Sequence, residues 1–190
     1  MFLETIKIDK GKAFYLSYHQ ERMDKTIGVS GKYNLKKMIN PPSDSILYRC
    51  RIVYDMNSID ISYHPYKKRD IKSLKLIESD IVYDKKYADR LDLDKLFKQR
   101  GACDDILIVK DSIIQDTTIA NVAFFDGIQW LTPKSPLLNG TTRTRLLKSG
   151  FLVEKDIRKD EIYSYKKLAL MNAMIDFDII AEENLKDMIC

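Results

Sequence analysis

The sequence predicts a mixed α/β protein, because strand-like and helix-like periodicities alternate along all 190 residues. "FLETIKID" and the pair "SILYRCRIVYD" and "SIDISYHPY" change polarity at every second residue, the period of a half-buried strand. "DDILIVKD" is continuously apolar, as a strand buried on both faces must be. Between such runs lie segments with helical spacing that end on glycine, such as "DLDKLFKQRG" closed by Gly101 and "LNGTTRTRLLKSG" closed by Gly150.

Each element follows from local chemistry. After "FLETIKID", the dipeptide Gly11-Lys12 reads as a hairpin turn. Ser17, with Gln20 three residues on, is a capping-box signature for a helix through "YHQERMDKTI". A second helix over Tyr33–Asn40 must stop before Pro41 and Pro42, because proline disfavours helical geometry in the residue ahead of it. "MNS" joins the next two strands as a hairpin. "DIKSLKLIESDIVYD" reads as a connector between two lobes, a small N-terminal one over residues 1–78 and a larger one over 79–190. "SIIQDTTIANVAFFDGIQWLTP" reads as strands broken at "QDTT" and turned at Asp126-Gly127. "KLALMNAMIDF" is strand-like, and the acidic "AEENLKDMI" reads as a tail helix.

Composition narrows the class. Hydrophobic residues make up 45% with 11 tyrosines, enough apolar surface to offset chain entropy. Charged residues reach 32% for a net charge of only +4, with both signs interspersed, which describes a solvated surface before a polyanion-binding one. Cys50, Cys103 and Cys190 are odd in number and far apart, which argues against a disulfide framework and for a reducing, cytoplasmic setting. Glu4 and Asp9 interrupt any secretory core at the N-terminus, and no run approaches the ~18 apolar residues of a membrane span. A soluble protein with no membrane partner is the expectation.

Several chemistries are poorly served. The two histidines, His19 and His64, have no second ligand at helical spacing, so no metal site is expected. Cys103 precedes Asp104 and Asp105, and adjacent acids raise a thiol pKa, so it reads as a structural cysteine. No G-x-S-x-G, P-loop or G-x-G-x-x-G is present. A basic nucleic-acid-binding module stays open as a reading of another class, on the strength of "YHPYKKR", though no nucleic-acid-binding signature accompanies that short patch. Lysine chemistry with a phosphate-bearing cofactor remains. It needs an amine for a Schiff base, an acid for a ring nitrogen and a helix-end cradle for phosphate. "GTTRTRLL" offers the cradle, with Thr141 and Thr142 where free backbone N–H groups would gather at a helix start. An ordinary threonine cap would also explain them.

"HQERM", "KYADR", "DDILIVKDSIIQDTTIANVAFFDG" and "TPKSPLLNGTTRTRLL" follow one another in the order and spacing of a known family. In these motifs the chain resembles the class IV aminotransferases, pyridoxal 5′-phosphate (PLP) enzymes of fold type IV. These include branched-chain and D-amino-acid transaminases and 4-amino-4-deoxychorismate lyase. The resemblance runs from "FLETIK" to "NAMIDF" and implies a two-lobed fold with a short N-terminal lobe, a cofactor held between the lobes, and a homodimer.

Carried over by motif, the resemblance assigns roles. The lysine of K-x-x-x-[RN] falls on Lys86, which would form the Schiff base and move the α-proton; by residue type alone it is one surface lysine among many. The acid of [TS]-E-x-x-x-x-N falls on Asp116, a shorter arm than the usual glutamate, with Asn121 supporting the loop and Thr117 near phosphate or substrate. The arginine of H-x-x-R falls on Arg22 and would grip the phosphate. Thr141 and Thr142 match the G-I-T-R phosphate loop, and Asn172 in "MNAM" the late loop that receives a carboxylate or phosphate. Leu91 stands where transaminases often carry tyrosine, which leans toward the lyase. The expected reaction is transamination of a small amino acid, with pyruvate elimination from aminodeoxychorismate as the alternative.

Overall fold

The N-terminal strand β1 (Phe2–Asp9) buries Ile6 and Ile8 on one face, the phase that its alternating sequence dictates. A left-handed turn through Lys10 and Gly11 leads to β2 (Lys12–Ala13). Two helices follow, α1 (Leu16–Ile27) and α2 (Leu35–Met38), and then the hairpin β3 (Tyr48–Tyr54) and β4 (Ile59–Pro65). The antiparallel sheet runs β2-β1-β3-β4. Its buried face, Ile6, Ile8, Cys50, Ile52 and Tyr54, packs with Met23, Leu35 and Ile39. In the β3–β4 turn, Asp55 Oδ1 accepts the N–H groups of Asn57 and Ser58 at 2.8 Å each.

Helix α1 begins ahead of the expected capping box. Its N-cap is Tyr15, at φ 54°, with no side-chain cap, so Ser17 lies inside the first turn. The chain leaves β2 through that left-handed residue, and the helix is already under way by Ser17. Helix α2 is shorter than Tyr33–Asn40. It is capped by Asn34 Oδ1, which accepts the N–H of Lys37 at 3.1 Å.

The computed structural model describes residues 1–182 and 185–190. Its chain forms two compact units: Met1–Lys68 with Lys85–Asp89, and Arg69–Asp84 with Arg90–Cys190. The short Lys85–Asp89 segment joins the first unit by lying beside β1. Leu3 N–H donates to Lys86 O at 2.8 Å, Ala88 N–H donates to Met1 O at 3.1 Å, and Phe2 bridges Tyr87.

The second unit is built on one eight-stranded sheet. It contains β5 (Leu74–Glu78), α3 (Leu91–Lys98), β6 (Asp105–Lys110), β7 (Ile113–Thr117), β8 (Asn121–Phe125) and β9 (Trp130–Pro133). The remaining elements are α4 (Thr141–Lys148), β10 (Leu152–Lys155), β11 (Lys167–Asn172) and β12 (Asp176–Glu182). The strand order is β10-β9-β8-β7-β6-β5, with β11 pairing both β8 and β12. Two pairs are parallel, β5 with β6 and β9 with β10, and each is joined by a connection that carries a helix, as parallel neighbours require. Leu107, Val109, Ile114, Val122, Phe124, Leu168 and Leu170 form the centre of the core.

Three expectations change here. The segment read as a connector contains β5, whose Leu74 is fully buried and opposes Asp105. The tail is no α-helix among the described residues: Ala181 and Glu182 finish β12, and Leu185–Asp187 make a single 3₁₀ turn. Residues 183 and 184 of that expectation lie outside the described set. β-branched Ile179 and Ile180 favour the strand, and β11 supplies it with a partner. Finally, Cys103 and Cys190 are paired as a disulfide across 87 residues, while Cys50 is free and buried. Both paired cysteines flank the start of β5. Cys190 N–H donates to Leu74 O at 3.0 Å, and Asp104 N–H donates to Ser73 O at 3.1 Å. Sequence distance conceals that neighbourhood.

Candidate active site

In the first unit the chemistry gathers around Glu4. It shares the phase of Ile6 and Ile8 on β1, so its carboxylate is buried with theirs at 0% exposure. His19 and Arg22, one turn apart on α1, both reach it. Arg22 donates from Nε to Glu4 Oε1 at 2.7 Å and from Nη2 to Oε2 at 2.6 Å, while His19 Nδ1 lies 2.6 Å from Oε2. Burial alone would raise the Glu4 pKa, but the Arg22 charge and the bonds from His19 and Arg22 outweigh it and hold the carboxyl down at about 2. An ionised carboxylate only accepts, so His19 carries its proton on Nδ1. Burial lowers the His19 pKa, helped by the charges of Arg22 and Lys86 and opposed by Glu4. The imidazole is therefore neutral at pH 7, within electrostatic reach of the Lys86 ammonium. Arg22, expected to meet a phosphate, has its charge matched by Glu4. Glu4 was not among the sequence candidates, although its phase with two isoleucines placed it on the buried face.

In the second unit the expected residues converge. Asp116, near the end of β7, is 3% exposed and faces Asn121 at the start of β8 as a cross-strand pair. Its Oδ1 accepts from Asn121 Nδ2 at 2.8 Å and its Oδ2 from Leu138 N–H at 2.9 Å. Burial pushes the carboxyl up to about 7, beyond what those bonds and the Arg143 charge can reverse. Asn121 Nδ2 also donates to Leu138 O at 2.8 Å, which ties the loop ahead of α4 to the same acid. Gly140 completes the contact: a Cβ there would lie 2.0 Å from Asn121 Oδ1, so no larger residue fits without displacing the amide.

Thr117, Asn172, Thr141 and Thr142 surround this pair. Thr117 Oγ1 accepts Ala120 N–H at 3.0 Å and shapes the β7–β8 turn. Asn172 Nδ2 donates to Ile119 O at 3.1 Å, while its Oδ1 accepts Met174 N–H at 2.9 Å, so the β11–β12 turn is fastened to the β7–β8 turn. Thr141 and Thr142 open α4 behind Gly140, both buried, and no side chain caps the helix start. Arg143, 2% exposed, braces the approach to α4 by donating to Pro133 O at 2.7 Å and Glu154 Oε1 at 2.6 Å. Among the described residues no group of three or more His, Cys, Asp or Glu could hold a metal ion.

This arrangement suits a cationic heteroaromatic nitrogen and a phosphate. Asp116 accepts from the Asn121 amide and from the Leu138 and Leu137 main chain, and a carboxylate retains a lone pair for one further donor. A proton shared with a ring nitrogen would offset the burial that raises its pKa. The uncapped start of α4 presents N–H donors and the positive end of a helix dipole.

Comparison with known proteins points the same way. The family model described as amino-transferase class IV matches residues 82–181. A protein of Haemophilus influenzae named only as uncharacterized is 36% identical over 180 residues, 90% of this chain and 96% of its own. A solved structure from Haemophilus somnus 129PT, provisionally named 4-amino-4-deoxychorismate lyase, is 31% identical with a TM-score of 0.81, covering 91% of this chain and 95% of that one. A hypothetical aminotransferase of Mycobacterium tuberculosis in its PLP-bound form shares the fold at 15% identity, with a TM-score of 0.76 and coverage of 97% and 82%. No described helix is long and apolar enough to cross a membrane. With four motifs in register, a buried acid–amide pair before an uncapped helix, and relatives matched over nearly the whole chain, the protein belongs to the class IV aminotransferase family of PLP-dependent enzymes of fold type IV.

Proposed function

We propose that this enzyme removes the α-proton of an amino-bearing substrate with Lys86 as its base, and that its reaction is that of a 4-amino-4-deoxychorismate lyase. PLP, when bound, supplies an aldehyde for the substrate amine and a ring that accepts the electron pair left by the proton. Lys86 would be the amine that holds the cofactor aldehyde and the base that takes the α-proton and returns it where product formation needs it. Asp116 would hold a proton at the ring nitrogen, Asn121 fixes the Asp116 carboxyl, and the Thr141–Thr142 turn would take the phosphate through backbone N–H groups. Arg22 is already paired with Glu4 by two bonds and is given no role at the phosphate, and Asn172 and Thr117 keep the two turns around the acid in place.

The observation that carries this chemistry is the buried Asp116 carboxyl, held by two donors at 2.8 and 2.9 Å and pushed up to about 7. Such an environment is costly for a carboxylate unless a cation or a shared proton meets it. Sequence alone put transamination first. The lyase is preferred because the Haemophilus somnus relative carries that name over nearly the full length of both chains. A fission yeast protein provisionally named aminodeoxychorismate lyase, 36% identical over 81 residues, supports it further. Transamination is the second reading, favoured by the family model itself.

The test is reconstitution with PLP, borohydride reduction and peptide mapping, followed by assay with aminodeoxychorismate. The expected result is a pyridoxyl label on Lys86 and release of pyruvate with 4-aminobenzoate in equal amounts, both lost in Lys86→Ala. A label elsewhere removes Lys86 from its role. Amine transfer to a 2-oxo acid without pyruvate release selects the transaminase. A cytoplasmic homodimer is the accompanying proposal, checked by sedimentation and fractionation.

A further inference from the structure

Thr118, in the turn between Asp116 and Asn121, is gripped from two sides. Its hydroxyl donates to Asp105 Oδ1 at 2.7 Å, and its carbonyl accepts from Arg90 Nη2 at 2.8 Å. Thr118 is 5% exposed and Asp105 fully buried. Asp105 opens β6, and its Oδ1 also accepts Ile106 N–H at 2.8 Å. Its Oδ2 has no hydrogen-bond partner, and Arg69 Nη1 lies 3.8 Å away. Burial raises the Asp105 pKa, against the bonds from Thr118 and Ile106 and the Arg69 charge. A buried acid with an oxygen left without a hydrogen bond is destabilising, so the bonds its other oxygen makes matter the more. The bond that uses its side chain on another segment is the one to Thr118.

That bond matters because the sheet ladder does little here. Between β7 and β8 a single registered pair exists, Asp116 with Asn121, and the β6–β7 pairing slips in register between Leu107 and Val109. The turn beyond Asp116 is closed by one main-chain bond, Thr117 N–H to Ala120 O at 3.0 Å, and beyond that its shape depends on what grips Thr118. Arg90 adds a second constraint: it stands four residues after Lys86, so the chain between them spans at most ~14 Å when fully extended. Its guanidinium thus links the chain just past the proposed Schiff-base lysine to the turn that carries the proposed ring-nitrogen acid.

We propose that Arg90 and Asp105 act as a pair of positioning residues that lock Thr118 and thereby set the direction of the Asp116 carboxyl toward the cofactor. Neither touches the reacting atoms. The inference rests on the PLP reading above.

Thr118→Val removes the hydroxyl without changing shape, Arg90→Met removes the guanidinium, and Arg90→Lys restores the charge. For each, PLP affinity and the pH midpoint of its visible absorbance band are measured by titration, beside thermal melting of the cofactor-free protein. Thr118→Val and Arg90→Met should each weaken PLP binding about tenfold, the ordinary net worth of one buried hydrogen bond. Both should displace the pH midpoint, and the melting temperature of the cofactor-free protein should fall by only about 2–4 °C for the lost bond. Arg90→Lys should recover part of the affinity. Affinity within about twofold of the parent and an unmoved midpoint in both variants would overturn the inference. So would losses of affinity that follow losses of melting temperature alone. A parent protein that takes up no PLP overturns the proposed function, and this inference with it; uptake with indifferent variants overturns the inference only.

Discussion

Gly140→Ala is a severe test of how the acid site is built. The backbone raises no objection, since φ is −68° at Gly140. Losing glycine at the helix cap costs about 1 kcal/mol or less. The obstacle is steric, because the added Cβ would sit 2.0 Å from Asn121 Oδ1. Reaching an ordinary carbon–oxygen separation of ~3.3 Å requires the amide to move by more than about 1 Å. Asn121 is 6% exposed, and its Nδ2 is committed at 2.8 Å to both Asp116 Oδ1 and Leu138 O. Flipping the amide would put nitrogen against the same carbon and lose both bonds. Leaving those acceptors unpaired in a buried site puts the cost at about 2–4 kcal/mol. Urea denaturation measures it, and the double variant isolates the cause: with Asn121→Ala already present, adding Gly140→Ala should cost little more than the cap. A single Gly140→Ala within about 0.5 kcal/mol of the parent would refute the packing argument. Strictly additive losses in the double variant would refute the clash as its cause.

The pH dependence of stability carries two opposite signatures. Asp116 binds its proton more tightly when folded, its pKa raised from 3.8 to about 7 by burial. Its contribution is full below pH 3.8 and is lost as pH rises toward 7, on the order of 4 kcal/mol for such a shift. In Asp116→Asn, urea melts of the cofactor-free protein between pH 4 and pH 8 should lose that decline. Glu4 behaves in reverse, its pKa lowered from 4.5 to about 2, so its contribution is present above 4.5 and fades as acid takes the pH toward 2. Glu4→Gln should flatten that acid limb while destabilising the protein at pH 7 by about 3 kcal/mol, because Arg22 keeps its charge and loses its partner. Reduction of Cys103–Cys190, or Cys190→Ser, reopens an 87-residue separation. It should cost about 4.5 kcal/mol by loop closure, and unchanged melting under reductant would count against the clip.

Much of this protein could be read along the chain. Alternation in "FLETIKID" and "YRCRIVY" and the apolar "DILIVK" defined strands that the structure contains, and Gly101 and Gly150 each follow a helix with positive φ. β5 was less legible, since a half-buried lysine and an exposed glutamate blur the pattern that Leu74 begins. The end of β12, Ala181 and Glu182, was read as the start of a tail helix because the acidic run that follows them has helix-like composition. At the site, motif spacing reached Asp116, Asn121, Thr141 and Thr142, which lie within one bonded neighbourhood. It missed Glu4 and Leu138, whose contribution depends on strand phase and on a main-chain amide.

The sequence by itself determined which residues form strands and helices and which family motifs they carry, because periodicity and turn chemistry act over a few neighbouring residues. Only the tertiary structure decided that Glu4 neutralises Arg22, that the Lys86 segment lies beside β1, and that Gly140 must lack a side chain to admit Asn121. It alone also brought Cys103 to Cys190 and set Thr118 between Asp105 and Arg90. Burial and hydrogen bonding between distant segments fix these relations, and those forces leave no period in the chain.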